Sequence, residues 1–482
     1  MFSSITADML LAILPEISLL LLMLVVFVAD LVLHGKNSPL PAWITIGGLG
    51  LTLLATIAFA QPAAQPQLLW GGMLRHDWLA FIFKVIFLFS ALLVTLLTVG
   101  WQKLWYKGEY YILLLASTMG MTLMGASADL VMLFLAIETT SIPLYILAGF
   151  VTTDRKSNEA GFKYLLFGAV TTGIMLYGFS LLYGFAGTTN LYGIASGMAA
   201  SGVPIPVIVG ALLLVLVGFG FKVSMAPLHF WAPDVYEGSP TPITAFLSTA
   251  SKAAGLAVLM RVMLAAFPGI QPEWQNIIAV GSALTMTIGN LIALSQHNIK
   301  RLLAYSSIAH AGYSLLAVAA ASELGVLSVV YYLLVYTVTQ IAAFAVVIVV
   351  SNVTGSDEIA DFAGLHRRNP MLALALLLSF LSLAGIPPLG GFIAKVLAFA
   401  AAVQAGLIWL AVVGVLNSIV GLYYYLIVLK VAYLDEPKGE AVIAPSRPQA
   451  ATLVVSIVLV LILGVVIAPW YNWAASGAGG LF

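Results

Sequence analysis

Residues 204–237 read PIPVIVGALLLVLVGFGFKVSMAPLHFWAPDVYE. The first part is an apolar run long enough to cross a bilayer as a helix, yet Lys222 lies within the stretch. Pro227 and Pro233 follow, and because a proline removes a backbone donor and clashes with the preceding turn, they predict a broken helix. Broken helices at membrane depth persist only where protein or a water-filled cavity covers them, and in transporters they mark the ion path.

The rest of the chain has the composition of a membrane protein. Of its 482 residues, 62% are hydrophobic and 8% are charged, against roughly a quarter charged in a soluble domain. Apolar windows of about 20 residues recur, whereas the ~10-residue alternating strands of a membrane barrel are missing. Because backbone polar groups in lipid need partners within the chain, the sequence predicts an all-α, polytopic membrane protein.

Fourteen transmembrane spans are predicted. They cover residues 9–33, 42–60, 79–100, 110–127, 129–151, 160–184, 204–237, 240–266, 275–295, 300–321, 323–351, 370–403, 405–432 and 449–470. The seventh and twelfth are too long for one straight crossing, and the twelfth is interrupted by Pro387 and Pro388. No basic residue precedes Lys36, so the first span is predicted to be a retained helix rather than a signal peptide.

The two broken spans lie five helices apart, which predicts two inverted five-helix repeats with discontinuous helices 7 and 12. A weak similarity between residues 118–122 and 285–289 agrees with this. The predicted organisation is an N-terminal three-helix segment (1–109), a first repeat (110–266), a second repeat (275–432) and a C-terminal helix (449–470).

Several classes of chemistry are excluded or disfavoured. The formal net charge is zero, which gives no electrostatic reason to expect nucleic acid. The chain has no cysteine, so disulfides and thiolate-held iron–sulfur clusters are excluded. The six histidines include no pair at matching depth on clearly facing helices, which argues against haem. Nucleotide-binding glycine loops and metal-ligand clusters are missing from the sequence, so neither a metal site nor a bound cofactor is expected in this chain.

Four ionisable residues are predicted near the middle of their spans: Glu138, Lys222, Lys252 and Lys395. A charge at that depth is costly, so such groups are candidates for function. A lysine removed from water releases its proton more readily, and a nearby carboxylate opposes this. Glu138 near Lys222 is therefore interpreted as a switch, with a static buried ion pair as the alternative. Because three lysines cannot all pair with one glutamate, a proton relay at the midplane is favoured.

Other polar residues have two interpretations each. His229 and His310 are candidates for relaying protons through water, or are core histidines satisfied by hydrogen bonds. Lys84 and Lys163 either take part in the proton relay or extend their charged ends to the membrane interface. Glu16 either binds a partner subunit or forms a local hydrogen bond.

Five stretches carry a resemblance to a known family. They are GFGFKVS (218–224), PLHFWAPDVYEG (227–238), SK (251–252), NIKRLLAYSSI (298–308) and LAGIPP (383–388). They strongly resemble the antiporter-like subunits of respiratory complex I, and the resemblance covers essentially the whole chain. The WAPDVYEG form and the twelfth-span lysine resemble the N type, since the M type typically has glutamate there. No long amphipathic extension follows the last span, which argues against the L type.

This resemblance implies that Lys222 is loaded with a proton and that Glu138 modulates this loading. It also implies that Lys252 relays the proton and that Lys395 passes it outward. It implies a non-redox, proton-translocating membrane subunit of a type I NADH:quinone oxidoreductase in the inner (plasma) membrane. NADH, FMN, iron–sulfur clusters and quinone are then expected in partner subunits. The expected neighbours are an M-type subunit, a small K-type subunit and the lateral helix of an L-type subunit. The alternatives are a subunit of a related cation/proton antiporter or membrane-bound hydrogenase, or a structural membrane subunit without transport.

Basic residues are unevenly divided between the loops. Loops after even-numbered spans hold Arg75, with Arg261 near one edge. Loops after odd-numbered spans hold Lys36, Lys103, Lys107, Arg155, Lys156, Lys300, Arg301, Arg367, Arg368, Lys438 and Arg447. By the positive-inside rule, both termini are predicted to lie outside the cytoplasm.

We predict that the loop at residues 152–159 faces the cytoplasm. Because the chain has no cysteine, an Arg155→Cys variant carries one thiol. An impermeant thiol reagent should leave it unlabelled in intact cells and label it after permeabilisation, whereas Gln65→Cys, after the second span, should react in intact cells. Labelling of position 155 from outside would overturn the topology.

Overall fold

The structure is a computed structural model that describes residues 5–33, 38–101, 103–437, 439 and 443–481. Most of this part of the chain is helix, as the composition predicts. Lys36 and Lys438, two of the basic residues behind the predicted topology, lie outside the described residues.

The helices follow one another with short connections. The N-terminal half contains α1 (Ala7–Ala12), α2 (Leu14–Val32), α3 (Leu40–Phe59), α4 (Trp78–Thr98), α5 (Gly108–Ala126), α6 (Leu130–Ala148), α7 (Arg155–Ala186), α8 (Leu191–Ser201), α9 (Ile205–Val223) and α10 (Trp231–Gly238). The C-terminal half contains α11 (Thr241–Phe246), α12 (Lys252–Ala266), α13 (Gln271–Ala293), α14 (Ile299–Ala319), α15 (Glu323–Thr354), α16 (Leu365–Arg368), α17 (Pro370–Ala384), α18 (Gly390–Gln404), α19 (Ile408–Leu434), α20 (Arg447–Val465) and α21 (Ile467–Ser476).

Three kinds of short element complete the described chain. A π-helix, Leu247–Ser251, joins α11 to α12. Turns of 3-10 helix occur at Pro268–Ile270 and Ile359–Phe362. The strands β1 (Gln67–Leu69) and β2 (Leu74–His76) form an antiparallel hairpin between α3 and α4. The sequence predicts neither the hairpin nor α8, because both are short and lie between the apolar runs.

A helix or a pair of helices occupies each predicted span. Twelve helical segments of the described chain are long and apolar enough to cross a membrane, and α17 and α18 are shorter apolar helices. The count of fourteen crossings stays a prediction. α7 and α15, which the repeat makes equivalent, are both 32 residues long. The inverted repeats and the four segment boundaries likewise stay predictions.

Both predicted breaks are present. α9 ends at Val223, and Ser224 follows in the left-handed conformation before the helix resumes as α10. α17 ends before Gly385, which is also left-handed, and α18 then begins. The prediction that Pro233 contributes to the first break is wrong. Pro233 is the third residue of α10, and the first turn of a helix tolerates proline because its amides have no intrahelical partner.

The centre of the molecule consists of α11, α12, α14 and α15. In these helices at least 94% of the most apolar window is buried, against 28% in α2 and α3. Large apolar side chains of α2, such as Leu20 and Leu24, are exposed on the outside. Polar side chains on the central helices are therefore covered by protein rather than by lipid.

A charged cluster fastens the end of α12 to the start of α4. Arg261 donates hydrogen bonds to both carboxylate oxygens of Asp77, at 2.7 and 2.8 Å, and to the Tyr192 hydroxyl at 2.8 Å. Asp77 also caps α4 by accepting from the Ala80 amide, and Arg75 lies 3.0 Å away. Burial opposes ionisation of Asp77, but the two guanidinium groups hold the pKa of its carboxyl below the usual range.

We predict that Arg261→Met destabilises the protein. Removal of one partner of a buried ion pair typically costs about 3–5 kcal/mol, so the apparent Tm of the purified protein should fall clearly. Arg367→Met, at an exposed arginine of α16, is the control and should leave the Tm almost unchanged. Equal Tm values for both variants would show that the cluster contributes little.

Candidate functional site

Lys222 lies in the last turn of α9, beside the first break. Its side chain is buried, and its Nζ donates a hydrogen bond to Ser141 Oγ of α6 at 2.9 Å. A Cβ at Gly255 of α12 would lie 3.0 Å from Lys222 Cγ. The missing side chain at Gly255 therefore gives the lysine stem its space between α6 and α12.

Glu138 lies one turn before Ser141 on α6, at the edge of the subunit. It is half-buried, and its neighbours on the same helical face, Leu135 and Ile142, are 54% and 50% exposed. Among the described residues its Oε1 has no hydrogen-bond partner, although it is shielded from solvent. Among the described residues no ion pair joins Glu138 to Lys222, which donates to Ser141 on the same helix instead, and the role of Glu138 as a switch stays a prediction.

Lys252 is the first residue of α12, directly after the π-helix. A π-helix places its side chains out of α-helical register and is frequent at functional sites. Lys252 Nζ donates to Ser307 Oγ of α14 at 2.6 Å, and the Tyr336 hydroxyl of α15 contacts the same oxygen at 2.8 Å. Ser307 thus joins the lysine to a tyrosine.

His310 continues this chain of polar groups. Its ring lies 5.0 Å from that of Tyr336, its Nδ1 is 2.6 Å from the Tyr332 hydroxyl, and its Nε2 is 3.3 Å from the Tyr425 hydroxyl. Tyr425 also bonds to Ser306. A cavity of about 10 Å³ beside His310 has about the space of one water molecule.

Lys395 lies one turn into α18, beyond the second break. Its Nζ donates to the Ala384 carbonyl at 2.9 Å, one of the last carbonyls of α17, which lack intrahelical donors. The ring of Tyr313 lies 4.7 Å from the same nitrogen. Gly385 has φ +88°, and a Cβ there would lie 2.8 Å from Lys395 Cδ. The break thus supplies both the acceptor and the space for the lysine.

His229 is the candidate least connected to the others. It lies in the first break, 2% exposed, and its Nδ1 has no hydrogen-bond partner within the described part of the chain. Its ring packs against Phe230, with centroids 4.5 Å apart. Hydrogen bonds join Lys252 to Tyr336 through Ser307, whereas ring contacts relate Tyr336 to His310 and Tyr313 to both His310 and Lys395. None of these contacts involves His229.

The sequence does not single out the hydroxyls that accept from the lysines. Ser141 lies in an ordinary helical context, and Ser307 lies in the stretch 298–308 quoted above, but nothing in the sequence pairs either serine with a lysine. Only the helix packing shows that they face Lys222 and Lys252. Tyr336 and Tyr332 are missed for the same reason.

The remaining charged candidates form ion pairs. Lys84 lies 2.8 Å from Glu16, and both are buried, so Glu16 has a local partner and Lys84 does not extend to the interface. Lys163 pairs with Glu159 at 2.7 Å and Asp234 at 2.5 Å on a more exposed surface.

A cavity of about 630 Å³ opens where α10 meets α11. Its charged lining residues lie in or beside the loops predicted to be cytoplasmic: Lys103, Asp154, Lys156, Glu237, Lys300 and Asp357. Deeper along α15, the amide of Gln340 and the hydroxyl of Thr337 are buried without partners among the described residues. Such atoms are usually bonded to water in proteins. Both residues lie on α15 between Tyr336 and Ile348, which lines the cavity.

Comparison with known proteins identifies the family. Residues 127–421, which include the six candidates, match the family model described as NADH:quinone oxidoreductase/Mrp antiporter, TM. The chain belongs to this family. It is a multi-pass membrane protein.

Relatives of this NADH:quinone oxidoreductase/Mrp antiporter chain cover nearly its whole length. NADH-quinone oxidoreductase subunit N of Chlorobium chlorochromatii is 43% identical over 441 residues, which are 89% of this chain and 86% of that protein. A chain of respiratory complex I from Thermus thermophilus is 35% identical with a TM-score of 0.82, covering 96% of this chain and 99% of that chain. A chain of the Mrp complex from a Dietzia species has a TM-score of 0.86 but 22% identity, covering 99% and 98%, and shares the fold.

We predict that Gly385→Ala displaces Lys395 from the Ala384 carbonyl, because the new Cβ would overlap the lysine stem. Proton uptake by vesicles containing the assembled complex should fall roughly ten- to a hundredfold, as misplacement by about 1 Å does in catalytic sites. Gly406→Ala is the matched control, since Gly406 has φ +77° and no atom lies within 4 Å of the place its new methyl group would occupy. Equal losses in both variants would assign the effect to backbone strain alone.

Proposed function

We propose that the chain is a proton-translocating membrane subunit of a complex I-type NADH:quinone oxidoreductase in a plasma membrane. The observation that carries this proposal is the set of three buried lysines, each bonded to a neutral acceptor rather than to a carboxylate. A lysine in that setting can give up its proton without leaving a buried anion behind. Electron transfer takes place in other subunits, and this chain moves protons in response.

The contacts suggest an order of transfer. Lys222 is loaded, Lys252 relays and Lys395 releases the proton, while Glu138 modulates the loading. Hydroxyls can donate and accept at once, so Ser307, Tyr336 and the ring of His310 offer a path from Lys252 toward Lys395. The 630 Å³ cavity serves uptake, because its unpaired polar continuation on α15 leads to Tyr336.

The surroundings of Glu138 support a role at a subunit boundary. A carboxylate at the edge of a membrane subunit, among exposed apolar side chains, needs cover from a neighbouring chain. We assign the neighbours to an M-type subunit, a small K-type subunit and the lateral helix of an L-type subunit. NADH, FMN, iron–sulfur clusters and quinone belong to partner subunits, and both termini lie on the non-cytoplasmic side.

Sequence identity favours this proposal over a related antiporter or hydrogenase subunit. The chain is more similar to subunits of NADH-quinone oxidoreductases than to the Mrp chain. A purely structural role would not require three buried lysines, each of which carries a large desolvation cost. A cation/proton antiporter or membrane-bound hydrogenase subunit is the second candidate, supported by the shared fold.

We predict that Lys395→Met assembles but impairs proton translocation, because methionine keeps roughly the length of lysine and removes the titratable group. Lys395→Arg should also fail, since guanidinium stays charged at any relevant pH. The measurement is proton uptake per electron in vesicles containing each variant. Lys430→Met, at an exposed lysine of α19, is the control. A wild-type ratio for Lys395→Met would make Lys395 a structural residue.

A further inference from the structure

The ammonium of Lys395 has an aromatic neighbour in place of a carboxylate. It donates to the Ala384 carbonyl and lies 4.7 Å from the centre of the Tyr313 ring. The side chain is 6% exposed. Within the part of the chain that the structure describes, no carboxylate forms an ion pair with Lys395. The ring is therefore the electron-rich side chain that faces this cation.

Tyr313 is fixed through its hydroxyl. Asn290 of α13 donates to this hydroxyl at 3.2 Å. Asn290 is itself held by the Tyr424 hydroxyl at 3.1 Å and by Asn417 at 3.2 Å. The hydroxyl is thus engaged with α13, while Lys395 Nζ lies over the face of the ring. The face of an aromatic ring attracts a cation, most strongly where water is excluded.

The other two lysines of the relay have different surroundings. Lys222 donates to Ser141, on the helix that also carries Glu138. Lys252 donates to Ser307, and the ring of Tyr236 lies 5.7 Å from its Nζ. Lys395 thus combines a backbone carbonyl with the closest ring of the three.

We infer that Tyr313 is a positioning residue that stabilises the charged form of Lys395 with the face of its ring. A carboxylate in this place would be left buried and unpaired each time the lysine lost its proton, which is costly. The ring is neutral in both states, so it favours proton binding without creating that penalty. This role rests on the proposed function, in which Lys395 changes its protonation state.

Other titratable side chains lie around Lys395 and can contribute to a measured pH profile. The titratable groups of α14 nearest to Lys395 are His310 and Tyr313, and those of α15 are Tyr332 and Tyr336, which line the small cavity beside α18 with His310. From α19 they are Tyr424 and Tyr425. α17 contains no titratable residue, and the one titratable residue of α20, Arg447, is exposed at its far end. A change in pH profile caused at position 313 is therefore assigned by comparison with Lys395→Met.

The test varies the charge on the ring face at nearly constant shape. The measurement is proton-coupled turnover as a function of pH, whose fall at high pH (the alkaline limb) reports loss of the proton from Lys395. Tyr313→Phe keeps the ring and should leave this limb in place. Phenylalanines with increasing fluorine content at position 313 weaken the negative ring face, so the limb should move to lower pH with each fluorine. Tyr313→Leu removes the ring, so the alkaline limb should move to lower pH by about one unit.

A matched control separates this role from simple packing. Tyr331 is a buried tyrosine of α15 whose hydroxyl donates to the Leu463 carbonyl. Tyr331→Leu should reduce stability and leave the alkaline limb in place.

The outcomes distinguish the two levels of the proposal. If Lys395→Met is impaired and the limb does not move along the fluorinated series, the role of the ring is wrong and the relay stands. If Lys395→Met pumps at the wild-type ratio, the proposed function of Lys395 fails whatever the Tyr313 variants do. A shift that follows the fluorine content, absent in Tyr331→Leu, supports the inference.

Discussion

An ammonium inside a membrane needs a hydrogen-bond acceptor, because an unpaired buried charge is among the most costly features a protein can contain. Each of the three buried lysines has one: Ser141 for Lys222, Ser307 for Lys252 and the Ala384 carbonyl for Lys395. These acceptors must lie at the same depth as the lysines. Much of the architecture around them follows from this requirement.

The second helix break meets this requirement for Lys395, whereas Lys222, beside the first break, uses a hydroxyl of α6. An intact α17–α18 helix would use its own carbonyls, whereas an end at Ala384 leaves carbonyls for a side chain. Glycines then let the stems approach, at Gly255 beside Lys222 and at Gly385 beside Lys395. Between the breaks, α14 and α15 carry hydroxyls and His310, and they can do so because protein covers them almost completely. The outer helices thus shield the polar interior from lipid.

The sequence predicts the charges and the breaks well, because a lysine or a proline in an apolar run stands out from its neighbours. Lys222, Lys252 and Lys395 were found in this way. The acceptors could not be predicted, since a serine becomes an acceptor only through the way two helices face each other. Pro233 was misplaced because a proline three residues into a helix looks the same in sequence as one that breaks it. The sequence also does not show that Lys222 donates to Ser141, one turn after Glu138, because the depth of a residue can be predicted from its place in a span but the direction of its side chain cannot.

Ser307 has a consequence for timing. Its oxygen lies within hydrogen-bonding distance of both Lys252 and Tyr336, but a hydroxyl has one hydrogen and can offer it to one neighbour at a time. While Lys252 is charged, Ser307 must accept from it and can point its hydrogen only away from it. Once a proton has passed, that orientation is reversed, and the hydroxyl has to rotate before the next transfer. In the proposed relay, Ser307 therefore passes one proton at a time, and its hydroxyl rotates between transfers.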